Sequence, residues 1–322
     1  MLNFRKCSLI ILSVMAFCAP SSLFAQKMTP DTTVCFVQRD SSSLYMDIYN
    51  PDPSKAIYGD GKEHPTIIHI FGGGFKEGSR EETWLRPWFK QMNSLGYRMI
   101  TIDYRLGLKD VKGVTQSKFA ELLDKAIDLA VEDLFSATAY LVENGAALGI
   151  DPHNIVVTGS SAGAITAQQA EYELCARTPM TSVLPKDFNY VGIMAFAGAV
   201  LTDGELSYAS KPCPVMMFHG TEDELVPYEI VQTGKVRFNG PCTVQKALEK
   251  AGGAYRFYRF PGINHAVAGY MPQTVDRQVN FIERNIMEGS HECTDAFIVD
   301  PSLPTYKTGE PNRLYELSLI HI

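Results

Sequence analysis

The chain lacks the features that would place it in several common classes. Its seven cysteines are few for 322 residues, and two of them, Cys7 and Cys18, fall in the first 25 positions. The others, Cys35, Cys175, Cys213, Cys242 and Cys293, are odd in number and widely spaced, which excludes a disulfide framework. No C-x-x-C pair points to zinc, and neither metal nor cofactor is expected. Export would permit a bridge, with Cys213–Cys242 as one pairing; buried free thiols are the alternative. No basic run is present, and 29 Lys+Arg stand against 36 Asp+Glu for a net charge of -7. Phosphate backbones bind clustered Lys and Arg, so nucleic acid is not an expected partner. There is no internal repeat, and no apolar run reaches the ~20 residues of a bilayer span.

The longest apolar stretch runs from Ser8 to Ala19, after Arg5 and Lys6 and before Leu23-Phe24-Ala25. A positive start, a short apolar run and a small residue at its end read as a secretory signal over residues 1–25, cleaved after Ala25. The run is too short for a membrane anchor, and a lipid-anchored start at Cys18 would place bulky Phe17 where a small residue belongs. The expected location is therefore secreted or periplasmic, with no membrane association after cleavage. Cleavage leaves 297 of the 322 residues, and loss of Arg5 and Lys6 takes the net charge from -7 to -9. One domain over 26–288 accounts for most of this length. Residues 289–322 are polar and Pro-containing until a short apolar end. They read as a tail outside the core: disordered, the start of a truncated module, or residues read past the gene end.

The first folded elements read as a hairpin, Thr33 to Gln38 and Leu44 to Tyr49. Thr66 to Phe71 is a continuous apolar strand of the kind buried on both faces of a parallel sheet. Strands over Tyr97 to Asp103, Ile155 to Ser160, Val191 to Ala197, Val215 to His219 and Tyr255 to Phe260 alternate with helical stretches. The helices are Glu82 to Leu95, Gln116 to Leu148 with one break, Ala162 to about Cys175, one closing at Leu248 to Gly252, and Val275 to Ile286. This order predicts an α/β fold: a mostly parallel eight-stranded sheet led by an antiparallel hairpin, with helices on both faces and no large lid.

The chemistry centres on Gly159-Ser160-Ser161-Ala162-Gly163, which follows an apolar strand and opens a helix. That is the strand–turn–helix context of a G-x-S-x-G nucleophile elbow. The glycines relieve crowding at the sharp turn and leave Ser161, the candidate nucleophile, in a strained conformation. A small-residue turn without chemistry would look the same locally, so the rest of the chain decides. Gly72-Gly73-Gly74 ends a central strand and offers bare N–H groups that, with that of Ala162, would form an oxyanion hole. After Phe218-His219-Gly220, Asp223 lies where an acid orienting a histidine is expected, whereas Glu222 and Glu224 read as helix-capping acids. His219 reads as a strand-end structural residue. His265, on the Gly/Pro loop after the last strand, is the candidate general base, and His69 reads as a satisfied core histidine. The order Ser161, Asp223, His265 raises this set above chance.

These motifs, with Asp103-Tyr104-Arg105, resemble the α/β-hydrolases, in particular microbial carboxylesterases of the hormone-sensitive-lipase and feruloyl-esterase-like groups. The resemblance covers roughly Thr33 to Ile286. It implies Ser161 as nucleophile, His265 as base, Asp223 as orienting acid and the N–H groups of Gly73, Gly74 and Ala162 as oxyanion donors. It further implies a carboxylic ester hydrolase acting through an acyl-enzyme on a small-molecule or polysaccharide-linked ester, such as acetyl or feruloyl groups on plant polysaccharide. A serine peptidase of the same fold and an inactive binding module are the alternatives. The family often has a histidine before the three glycines; here Phe71 stands there, a departure that bears on how the loop is held.

Overall fold

A computed structural model describes residues 28–39, 42–57, 61 and 63–303. The signal segment and residues 304–322 of the tail lie outside the described residues.

In chain order the strands and helices are β1 (Thr32–Arg39), β2 (Ser42–Tyr49), β3 (Thr66–Ile70), α1 (Arg86–Ser94), β4 (Met99–Ile102), α2 (Gln116–Leu148), β5 (Ile155–Ser160), α3 (Ala162–Ala176), β6 (Gly192–Phe196) and β7 (Val200–Asp203). They continue as β8 (Val215–Gly220), β9 (Ile230–Thr233), β10 (Val236–Asn239), α4 (Pro241–Lys250), β11 (Tyr255–Phe260), α5 (Val275–Phe281) and β12 (Cys293–Phe297). The main sheet has the order β1-β2-β4-β3-β5-β6-β8-β11-β12. Its β1/β2 and β2/β4 pairs are antiparallel and the rest parallel.

The strands alternate their side chains between two apolar layers. Ile68, Val157, Met217 and Phe257 face a core shared with Leu134 of α2, Ile165 of α3 and Leu248 of α4. Their neighbours Ile67, Val156, Met216 and Tyr258 face a second core with Trp88 and Phe89 of α1 and Phe281 of α5. Parallel strands buried on both faces must be apolar at nearly every position, and β3, β5, β6 and β8 are buried throughout.

Among the described residues the sheet has nine strands rather than eight. The ninth, β12, pairs in parallel with β11 from Tyr255↔Cys293 to Arg259↔Phe297. Part of the segment read as a tail is therefore the sheet edge. It is held by ion pairs from Arg259 to Asp295 and from Arg256 Nη2 to Glu292 Oε2 at 2.8 Å. A second, three-stranded sheet in the order β7-β10-β9 forms an antiparallel ribbon outside the main sheet; the sequence reading missed it. Helix α2 runs unbroken for 33 residues, from a Thr115 N-cap to Gly149 in the left-handed region at φ 64°.

The Cys213–Cys242 bridge is not formed, and all five cysteines among the described residues are free thiols. Cys213 precedes β8, where its N–H donates to Glu171 Oε1 at 2.7 Å. The Cys242 Sγ, in the first turn of α4, instead accepts from Arg259 Nη1 at 3.1 Å.

Candidate active site

The carboxyl ends of β3, β5, β8 and β11 carry the four predicted pieces of the site on one edge of the sheet. At the end of β5 the backbone turns sharply, and Ser161 sits at φ 51°, ψ -117° between strand and helix. Few non-glycine residues adopt positive φ, and those that do concentrate at functional sites. The glycines of the turn are sterically required. A Cβ on Gly159 would lie 2.2 Å from the Gly163 carbonyl carbon, and one on Gly163 would lie 2.0 Å from the Ile70 oxygen. The turn is tied down by the Ser161 N–H donating to Phe196 O at 2.8 Å. Ser160 points away from Ser161 and donates to Ala268 O at 2.7 Å, which fastens the loop that carries His265.

The structure brings Ser161, His265 and Asp223 into one hydrogen-bonded line. His265 Nε2 lies 2.8 Å from Ser161 Oγ, and its Nδ1 lies 2.7 Å from Asp223 Oδ2. A carboxylate can only accept, so Nδ1 carries the proton and Nε2 is left to accept from the serine hydroxyl. The acid loop and base loop clamp each other. Thr221 N donates to Phe260 O and Glu222 N to Ile263 O, each at 3.0 Å. Gly220 stands where a Cβ would come within 2.1 Å of the Ile263 oxygen.

Asp223 is buried, with its Oδ1 accepting from the N–H groups of Leu225 at 2.9 Å and Val226 at 3.0 Å. His219, a strand-end structural residue by its sequence context, also reaches this acid. Its Nε2 is 3.3 Å from Asp223 Oδ2 and 3.0 Å from Val226 O. Burial pushes the Asp223 carboxyl up, but the His265 charge and the hydrogen bonds from His219 and His265 outweigh burial and hold it well below the usual carboxylate range. The acid is therefore ionised across the ordinary pH range. His69 is buried in β3, but neither ring nitrogen has a hydrogen-bond partner, so it is not the satisfied core histidine that was expected.

The glycine loop is sharply bent, with Gly73, Gly74 and Phe75 at φ 108°, 61° and 59°. Gly73 O accepts from Lys76 N at 3.0 Å and Glu77 N at 3.2 Å. Gly72 lies against the serine, since a Cβ there would approach the Ser161 Cβ to 3.4 Å. Gly74 and Ala162 line a small apolar cavity together with Ser161, and Gly73 lies off that wall. Phe71 does not leave the loop unsupported. Its ring stacks on Tyr104 with centroids 4.3 Å apart, and the Tyr104 hydroxyl donates to Phe71 O at 3.1 Å and to Gly72 O at 3.3 Å. The sequence flagged Tyr104 within a motif without indicating this role. Among the described residues no group of three or more His, Cys, Asp and Glu could hold a metal.

The phospholipase/carboxylesterase family model matches residues 118–283, half of the chain and most of the site. The chain belongs to that family. A second model, BD-FAE, matches residues 46–174. The protein is thus an α/β-hydrolase. Two curated relatives are a secreted lipase 1 of Botryotinia fuckeliana, 29% identical over 177 residues, and an esterase S of Drosophila virilis, 30% identical over 122 residues. Those alignments cover 53% and 37% of this chain but only 27% and 20% of the relatives. The chain thus spans about a quarter or less of the length of the curated relatives it matches. The propionate-bound esterase Est2 of Thermogutta terrifontis has a similar fold, with a TM-score of 0.55 at 20% identity, covering 82% of this chain and 96% of that one. No described helix is long and apolar enough to cross a membrane.

Proposed function

We propose that this family member is an exported serine carboxylesterase that works through an acyl-enzyme, with Ser161 as nucleophile, His265 as general base and Asp223 as orienting acid. The observation that carries this reading is the continuous relay from Ser161 Oγ through the His265 ring to the Asp223 carboxylate. In the first step His265 Nε2 takes the hydroxyl proton as Oγ attacks the ester carbonyl. The carbonyl oxygen becomes negative, and the N–H groups of Gly73, Gly74 and Ala162 stabilise it; one such donor is worth about 3 kcal/mol in comparable sites. His265 returns the proton to the departing alkoxide. Water, deprotonated by the same imidazole, then releases the acid. Asp223 holds the ring in the required tautomer and stabilises its charged form throughout.

The signal-like start and the likeness to a secreted lipase favour export. Polysaccharide-linked esters, feruloyl groups among them, suit an exported enzyme of this family. Thermogutta terrifontis esterase 2 has been obtained phosphorylated by paraoxon, and the same reagent tests this reading. Paraoxon is expected to abolish p-nitrophenyl acetate hydrolysis and to leave one diethylphosphoryl group on Ser161, located by peptide mass spectrometry. Hydrolysis that survives stoichiometric labelling, or a label on another residue, would overturn the assignment.

Tyr104 provides a second test. Removing its hydroxyl deprives the loop carbonyls of a buried donor, an effect of about 1 kcal/mol. Tyr104→Phe is expected to lower kcat for p-nitrophenyl acetate about fivefold with little change in KM, because only the developing oxyanion senses the loop's N–H positions. An unchanged kcat would mean that the loop is held without it.

A further inference from the structure

A small cavity at Ser161 adjoins a larger chamber that the reaction alone does not require. The small one, about 30 Å³, is lined by Ser161, Gly74 and Ala162. It shares Phe119, Leu123, Leu225 and Phe238 with a chamber of about 430 Å³. One wall of that chamber is the first two turns of α2, and the opposite wall is the β7-β10-β9 ribbon. We propose that the ribbon-walled chamber is an acyl-chain site, and that the enzyme takes esters of neutral, apolar acyl groups larger than acetyl. This rests on the reading of Ser161, His265 and Asp223 given above.

The direction of the substrate follows from the proton. The alcohol must leave where His265 Nε2 can protonate it, and His265 lines neither cavity. What extends from the carbonyl carbon into the chamber is therefore the acyl side. The chamber's chemistry then selects the acyl group. Leu201, Val231, Val236 and Phe238 from the ribbon face Phe119 and Leu123 of α2. Burying apolar surface against such walls favours a longer chain. Among the described residues no Lys or Arg lines the chamber, whereas Asp223 and Glu224 do. At the serine end the described lining includes a single cation, Lys76, which lies 5.8 Å over the Phe119 ring. An anionic acyl group would be desolvated there without a partner. An acetyl group would fill only the small cavity and leave the chamber unused. Strands β9 and β10 lie in sequence between Asp223 and His265, so they shape the chamber without carrying a reacting group.

The test compares kcat/KM for p-nitrophenyl acetate and p-nitrophenyl octanoate, which share a leaving group and differ only in the acyl chain. Wild type is expected to favour octanoate at least about tenfold, the discrimination that one or a few methylenes give in an apolar pocket. Val231→Trp on β9 and Ala120→Trp on α2 fill the chamber from opposite walls, and each should cut the octanoate-to-acetate ratio by about tenfold. Thermal unfolding identifies a variant that has lost its fold, and the other variant and the wild-type ratio then decide. Hydrolysis of acetate with octanoate no better, or a ratio unmoved in a folded variant, overturns the acyl-chain site and leaves the esterase reading standing. Failure to hydrolyse either ester overturns the esterase reading itself and the chamber with it.

Discussion

Ser161→Ala is expected to lower kcat/KM for p-nitrophenyl acetate by at least about 10⁴-fold while the protein stays folded. The size follows from the proposed chemistry: without Oγ there is no acyl-enzyme, and the His265 base has only water to activate. The residual rate would come from the oxyanion donors and substrate positioning alone. The fold should survive because the structural duties of the turn fall on other atoms. The Ser161 backbone N–H bonds Phe196 O, the glycines on either side fit where a Cβ cannot, and Ser160 fastens the histidine loop. Alanine tolerates φ 51° about as poorly as serine does, so the stability change should stay below about 1 kcal/mol. Steady-state kinetics with a thermal melt of the same preparation checks both halves. Turnover within tenfold of wild type would remove Ser161 from the mechanism.

The elbow was legible in the sequence because steric exclusion writes itself as residue identity. Only glycine fits at 159 and 163, and a nucleophile between them leaves little choice of geometry. The Ser161, Asp223, His265 order was legible for a related reason, since each sits just past an apolar strand whose end can be read. What supports these groups was less visible. Tyr104 reaches the glycine loop from the end of another strand, and His219 reaches Asp223 across a turn. Such contacts depend on which strands become neighbours, and local patterning does not encode that.

The misread parts of the fold share a physical cause. Central strands announce themselves by burial on both faces, but β12 is at an edge and alternates exposed and half-buried positions. Its Cys-Thr-Asp-Ala-Phe run therefore resembles a polar loop. Ribbon strands β7, β9 and β10 are four residues each, too short for a period to emerge. Helix α2 shows the opposite error. Its length suggested a break, but packing along both the sheet and α3 keeps it continuous.

The misjudged His69 leads to the other large expectation. Its ring is fully buried, edge-on to Trp88 with centroids 5.3 Å apart, and neither nitrogen is hydrogen-bonded. Burial pushes its pKa down to about 3. In the unfolded chain it would titrate near the ordinary value of about 6.5. Between those limits the unfolded state binds a proton that the native state refuses, so stability falls as pH drops. At about 1.4 kcal/mol per pH unit, the loss from pH 6.5 to 3 reaches roughly 4–5 kcal/mol. His64, also lowered by burial, acts in the same direction. Asp128 acts in the opposite one, because burial and the neighbouring Asp124 raise its carboxyl to about 6 and stability is then lost as pH rises through that value. The depressed Asp223 contributes only below the ordinary carboxylate range. The difference between wild type and His69→Leu cancels these shared contributions. Leucine there has no proton to refuse and no unpaired ring N–H. Urea unfolding of both proteins at pH 7, 6, 5 and 4 should show the variant gaining on wild type by about 1 kcal/mol or more per unit below pH 6.5. A stability difference that stays flat across that range would mean that the ring is protonated or hydrated in the native protein, and that the packing around β3 and Trp88 opens to water.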